Sequence, residues 1–176
     1  MLETLISSKT RVKLLLKFFL NSSTTDYLRN LEAEFGESTN AIRLELNRLE
    51  EAGMLSSFSD GNKKKFQANK NHPLFKDIHN IIRKYVGIDQ IIENVIERLG
   101  DVEEVFLTGG FAKGLDSNVI DLIFVGNIDR AYLNELVGKV EKLIHRKVRF
   151  VIYSEMEFQE NLKEKERNSF LPLWSK

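Results

Sequence analysis

Asp121 is the one carboxylate in Val119-Ile-Asp-Leu-Ile-Phe-Val125, a run whose β-branched and apolar content predicts a strand. A charge inside a run that would otherwise be buried needs a reason, because an unpaired buried carboxylate is costly. Upstream, Gly109-Gly-Phe-Ala-Lys-Gly114 lies between another predicted strand, Val102 to Thr108, and a helix start. A glycine pair in that position leaves backbone N–H groups free to cradle a phosphate, and the Lys113 ammonium is placed to assist.

A second set of residues has the chemistry of base recognition. In Thr39-Asn-Ala-Ile-Arg-Leu-Glu-Leu-Asn47 the apolar stripe Ile42, Leu46 and Leu49 defines one face of a predicted helix. At ~100° per residue, Asn40, Arg43, Leu44 and Asn47 fall opposite or beside that stripe. Arg offers a bidentate fork to guanine, and Asn a donor–acceptor pair to adenine. Lys63, Lys64 and Lys65 follow on a hairpin arm, where ammonium groups meet phosphates without reading sequence. Thr39, Asn40, Arg43, Asn47 and Lys63 to Lys65 are the candidate contacts to double-stranded DNA. The competing reading is a solvated face used for protein contacts, with the lysines protecting a strand edge.

These side chains need elements to hold them. Val12, Leu15, Leu16 and Phe19 mark a first helix ending near Asn21. Ser22 to Thr25 are capping types, and a second helix is expected from Asp26 to Glu34 with Tyr27, Leu28 and Leu31 inward, stopped by Gly36. Ser38 caps the third helix, which ends at Ala52-Gly53. Met54 to Phe58 and Lys63 to Ala68 read as strands joined through Asp60-Gly61, a hairpin signal. Leu74, Ile78, Ile81, Ile82 and Tyr85 have helical spacing, as do Ile88, Ile91, Ile92, Val95, Ile96 and Leu99. The second stripe suits either an intrachain core or packing between domains or against a second subunit. Arg130 to Ile144 is a helix, Lys147 to Ser154 a strand, and Ser154-Glu-Met-Glu-Phe158 a capped helix start. The order implies a small mixed sheet with helices on one face. The apolar tail, Asn168 to Lys176, is expected to dock on it through residues including Trp174.

The 176 residues carry 26 Lys plus Arg and 26 Asp plus Glu, which excludes a wholesale polycation. That neutrality averages unlike halves: residues 1–87 hold 14 basic and 10 acidic side chains, residues 88–176 hold 12 and 16. With 42% hydrophobic and 30% charged residues the chain is globular. No apolar run approaches the ~20 residues a spanning helix needs, and Leu14 to Leu20 is short and interrupted by Lys17. The stretch from Met1 lacks the zones of a secretory signal, so no membrane partner and a cytoplasmic address are expected. Zero cysteines exclude disulfides and thiolate chemistry, and His72, His79 and His145 make a poor metal set.

Helix, helix, recognition-type helix and basic hairpin together resemble the winged-helix repressors of bacteria, the broad class that includes the arsenical-resistance repressors. The likeness covers roughly residues 8–87 and centres on Thr39 to Leu55. It implies duplex DNA as partner and a homodimer reading two-fold sites. Residues 101–158 resemble the minimal nucleotidyltransferase domain of the polymerase-beta-like superfamily, through Leu107-Thr-Gly-Gly-Phe-Ala-Lys-Gly114 joined to Ile120-Asp-Leu-Ile123.

Active members of that superfamily carry Ser after the first glycine, two carboxylates one residue apart on the second strand, and commonly a third on a later strand. Here Gly110 stands at the Ser position, Val119 at the first carboxylate and Arg149 at the third, leaving Asp121 alone. Two-metal phosphoryl transfer needs several carboxylates, so the likeness implies a domain that kept the fold and lost the chemistry. It also implies a nucleotide site built from Gly109, Gly110, Lys113, Gly114, Asp121 and Arg149. In that site Asp121 holds at most one Mg ion, or pairs with Arg149.

The expected fold is α+β: a winged helix-turn-helix over 1–87, a linker or dimerisation helix over 88–100, and a nucleotidyltransferase-like mixed sheet with helices over 101–176. The expected function is a DNA-binding transcriptional regulator whose second domain senses a ligand or mediates assembly. An active nucleotidyltransferase and a protein interaction module are the alternatives.

Overall fold

The computed structural model describes residues 2–162 and 170–176. Met1, and Asn168 and Ser169 of the tail, lie outside the described residues. The chain divides into two compact units, one formed by Met1–Tyr85 with Lys113–Asp116, the other by Val86–Ala112 with Ser117–Lys176. Both combine helices with a sheet, giving an α+β protein with two sheets.

In the first unit, helix α1 (Lys9–Leu15) continues into a π-helical turn, Leu16–Leu20. Strand β1 (Thr25–Tyr27), helices α2 (Leu28–Phe35) and α3 (Thr39–Glu51), and strands β2 (Leu55–Asp60) and β3 (Lys63–Ala68) follow. Helix α4 (Phe75–Val86) comes last and reaches the boundary between the units. The sheet is antiparallel with order β1-β3-β2, and Gly61 supplies the positive φ that the hairpin turn requires. Leu14, Leu16, Phe18, Phe19, Leu31, Ile42 and Leu46 form its buried core.

The second helix begins two residues later than expected. Thr25, Asp26 and Tyr27 pair with Gln67, Phe66 and Lys65 as a strand, so sheet hydrogen bonds claim the backbone that helical spacing assigned to a first turn. Asp26 is buried, and its carboxylate accepts the Tyr27 N–H at 2.8 Å and both oxygens accept from Asn30 Nδ2 at 2.9 Å. Lys17, also buried, reaches Asp26 Oδ2 at 3.2 Å and Glu34 Oε2 at 2.6 Å. The residue that interrupts the apolar run therefore joins a buried carboxylate, Asp26, to an exposed one, Glu34.

In the second unit, helix α5 runs from Ile88–Ile91 through a π turn, Ile92–Ile96, to Glu97–Leu99. Then come β4 (Val102–Thr108), one helical turn (Gly109–Ala112), β5 (Val119–Gly126), α6 (Arg130–Ile144), β6 (Lys147–Tyr153), α7 (Glu155–Asn161) and β7 (Leu171–Ser175). Strand order is β6-β5-β4-β7. The β5–β6 pair, joined through α6, is parallel and the other pairs are antiparallel. The expected tail docking takes the form of a fourth strand, with Trp174 opposite Val105.

Ile120, Leu122 and Phe124 share one sheet face and are buried, as are Leu133, Leu136, Val137 and Val140 of α6. Ile88, Ile91, Val95 and Ile96 are buried with this unit, so much of the isoleucine stripe is intrachain core. The opposite face of the sheet is not bare: Phe158 of α7 packs with Ile123 and Val125 there, and its ring stacks on Phe106 at 5.2 Å. Helices therefore cover both faces, because the capping box at Ser154 and Glu157 starts α7 directly after β6. No helix among the described residues is long and apolar enough to cross a membrane.

Candidate functional site

Helix α3 is started by Ser38, whose Oγ accepts the Ala41 N–H at 3.3 Å, and is pinned by Ile42, Leu46 and Leu49 in the core. Its other side is exposed at Asn40, Arg43, Leu44, Asn47 and Arg48. Between that side, α2 and the β2–β3 hairpin lies a groove of about 980 Å³. Thr39, Arg43 and Asn47 line it from α3, Lys63 and Lys64 from the hairpin. Asn40 is not among the lining residues; its Oδ1 accepts from Arg43 Nη1 at 3.5 Å. Lys65 does not line the groove either and instead pairs with Asp60 at 2.5 Å.

The groove also contains residues that the sequence reading passed over. Arg29 and Glu32 line it from α2, Asn62 from the hairpin turn, and Tyr27, Leu28 and Phe66 contribute ring and apolar surface. Arg29 and Glu32 are three residues apart on an exposed helix face, and only the tertiary arrangement places them opposite the lysines. Lys63 Nζ stands 4.3 Å from the Tyr27 ring centroid, a cation–π contact that orients the ammonium. Lys64 Nζ is 2.7 Å from Glu50 Oε2, and this bond with that from Ser57 holds the Glu50 carboxyl below its ordinary pKa.

In the second unit, Thr108, Asp121 and Arg149 are aligned across three strands, Thr108 opposite Asp121 on β4–β5 and Asp121 opposite Arg149 on β5–β6. Thr108 Oγ1 donates to the Asp121 backbone carbonyl at 3.3 Å. Arg149 Nε donates to Asp121 Oδ1 at 2.7 Å; the Arg side chain is 71% exposed and the Asp 23%. The bond and the charge of Asp121 raise the Arg149 pKa. Gly109 has φ +65, and a Cβ there would collide with Asp121 Oδ2. The carboxylate is thus held between a guanidinium and the glycine backbone, half-buried and charge-compensated, which answers the question its sequence context raised.

The six candidate nucleotide contacts fall into two sets. Gly109, Gly110, Asp121 and Arg149 belong to the second unit, Lys113 and Gly114 to the first. Gly114, at φ +74, has its Cα side against the Lys17 backbone, where a Cβ would collide with Lys17 Cα. Val119, two residues before Asp121 on the same strand face, presents no carboxylate, and Lys147 stands opposite it. Among the described residues no three His, Cys, Asp or Glu side chains group closely enough to hold a metal ion. A nucleotidyltransferase metal pair does not fit the Asp121 and Arg149 arrangement, because one carboxylate already bonded to a guanidinium replaces the several that such a pair requires.

No family model and no curated protein matches the chain. Solved structures show partial similarity to the chain. One is a tri-AMPylated HEPN toxin in complex with MNT antitoxin from Shewanella oneidensis, at 15% identity over 51% of this chain and 71% of that chain, with a TM-score of 0.38. Another is a protein of Sulfolobus solfataricus assigned provisionally as a nucleotidyltransferase, at 24% identity over 56% of this chain and 86% of that chain, with a TM-score of 0.39.

Proposed function

We propose that this chain is a DNA-binding transcriptional regulator. In this reading residues 1–87 bind duplex DNA through a winged helix-turn-helix, and the nucleotidyltransferase-like part over 101–176, joined through 88–100, is a sensor or assembly module without transferase chemistry. The observation that carries it is the groove that gathers Arg29, Arg43, Asn47, Lys63 and Lys64 from two helices and a hairpin. The order helix, strand, helix, helix, hairpin, with the hairpin's second strand paired to the short strand that precedes the second helix, supports a winged helix.

In that role α3 enters the major groove. Arg43 forks onto guanine, Asn40 and Asn47 pair with adenine, and Thr39 with Lys63 to Lys65 holds phosphates. A DNA partner places the protein in the cytoplasm. A second copy suits it, since two α3 helices reading a two-fold site gain affinity. The exposed apolar side chains Leu74 and Ile81 on the stripe with Ile78 in α4 are the surface this would use. In the second module Arg149 holds the remaining carboxylate, and no transfer step follows from Asp121.

Fluorescence anisotropy against a pool of duplexes that includes the gene's own upstream region tests the reading. Binding that weakens steeply with salt and selects a sequence supports it. Absence of salt-sensitive binding to every duplex removes it.

A further inference from the structure

Lys64 lines the groove, yet its ammonium is already bonded. Glu50, on the last turn of α3, holds Lys64 Nζ at 2.7 Å through Oε2, while its Oε1 accepts the Ser57 hydroxyl of β2 at 2.5 Å. The carboxylate is thus fixed between the helix and the hairpin, 29% exposed against 53% for the lysine. Among the described residues, Arg29, Arg43 and Lys63, which line the same groove, take part in no ion pair. The Lys65–Asp60 pair is off the groove. Among the described residues, one groove cation of the four, Lys64, is therefore held in an ion pair by a carboxylate of the chain itself.

We infer that Glu50 is a built-in competitor for the phosphodiester that Lys64 would hold, so that a DNA backbone gains this contact only by displacing the carboxylate. The inference rests on the DNA-binding reading and concerns the affinity and salt response of that same groove. A lysine neutralised within the protein releases no counterion from DNA, and a displaced Glu50 stays beside the incoming phosphate as a like charge. Its geometry therefore sets how many phosphates the groove neutralises. The ligand class is the sugar-phosphate backbone, and bases are read elsewhere, from α3.

The test is a two-by-two set of full-length chains, wild type, Glu50→Gln, Lys64→Gln and the double variant, titrated against one duplex at several salt concentrations. Gln at 50 keeps a carbonyl acceptor for Ser57 and removes the charge. Glu50→Gln is expected to bind roughly fivefold tighter near ~0.15 M salt and to steepen the slope of log K against log salt by about 0.9, the increment of one further phosphate contact. Lys64→Gln is expected to abolish the gain in the Glu50→Gln background and to weaken binding there more than it does in the wild-type background, where Glu50 already competes for the ammonium. Equal affinity and slope for Glu50→Gln and wild type overturns the competition, as does an equal loss from Lys64→Gln in both backgrounds. If only Glu50→Gln binds, the competition is supported in its strongest form. If neither chain binds any duplex, the DNA reading and the competition fall together, an outcome separable from wild-type binding without the Glu50 effect.

Discussion

Arg149 and Asp121 stand in register across the parallel β5–β6 pair, with Nε and Oδ1 2.7 Å apart. A guanidinium there reverses the local charge logic: it satisfies the carboxylate that a cation would otherwise attract. The first prediction follows. Incubation with labelled ATP and magnesium yields no labelled protein or product, and Asp121→Ala leaves that result unchanged. Label transfer that Asp121→Ala abolishes overturns the proposal that this module lacks transferase chemistry. Because the arginine is largely exposed, Asp121→Ala and Arg149→Ala leave the melting temperature within about 2 °C of wild type.

Under the DNA-binding proposal, the two arginines that line the groove are expected to separate by kind of contact. Arg43→Ala costs about 1–3 kcal/mol on the preferred duplex and flattens discrimination at one base pair, since a bidentate base contact is lost. Arg29→Ala weakens all duplexes alike and lowers the salt slope by about one, the signature of a phosphate contact from α2. Anisotropy on the preferred and scrambled duplexes at three salt concentrations distinguishes them. A sequence-selective loss from Arg29→Ala reassigns it to base reading.

Lys17 carries a stability prediction. It is buried with Asp26 and also pairs with the exposed Glu34, and replacing it by Met leaves the buried Asp26 carboxylate without its cation. Removal of one partner from a buried ion cluster costs about 3–5 kcal/mol, whereas substitution of the whole cluster by apolar residues is far milder. Urea unfolding of Lys17→Met and of a Lys17→Met, Asp26→Leu, Glu34→Met triple variant checks both statements. Equal loss in the two chains sinks the ion-cluster account.

Glu45 governs part of the acid response. Burial raises its carboxyl, but hydrogen bonds from Arg11 and Ser8 and the charges of Arg11 and Arg48 outweigh that, so its pKa is lowered on folding. With the folded value below the unfolded one, its stabilisation is complete above the ordinary glutamate value near ~4.3 and is lost as pH falls through the folded value. Glu37, tied to Lys13 and Thr10, shifts in the same direction. Urea midpoints between about pH 3 and 7 are expected to fall more steeply on the acid side for wild type than for Glu45→Gln, which starts lower at neutral pH. Parallel profiles contradict the assignment.

How far the sequence discloses this molecule depends on the range of the interaction involved. Local signals were legible: Ser38 as a cap, Asp60-Gly61 as the hairpin turn and the Ser154–Glu157 capping box each act within a few residues. Strand β1 was not, because Thr25-Asp-Tyr27 becomes a strand only by pairing with Gln67 to Lys65, some forty positions away. The groove lining shows the same limit. Arg43 and Asn47 were found from helical phase, but Arg29 and Glu32 face them only after α2 has packed, and the Glu50–Lys64 bond likewise spans helix and hairpin. Gly109 to Gly114 looks like one glycine turn in sequence. In the fold, Gly114 makes room for the Lys17 backbone and Gly109 for the Asp121 carboxylate, two close approaches in different units.

Gly109 therefore supplies a last test, one that isolates contact from backbone strain. Gly109→Ala places a methyl group against Asp121 Oδ2 in a backbone conformation, φ +65, that is unfavourable for L residues. The left-handed conformation alone costs about 1–2 kcal/mol, and the collision adds to it unless the carboxylate moves off Arg149. Asp121→Ala removes Oδ2 and Cγ, the two nearest atoms that the methyl group meets, but keeps the Cβ at 3.2 Å and leaves the φ penalty in place. The double variant is therefore expected to be more stable than the sum of the single losses predicts, with a coupling of about 0.5–3 kcal/mol. Chemical denaturation of the four chains measures it. Strict additivity means that the glycine is required by backbone conformation alone and that its approach to Asp121 is incidental.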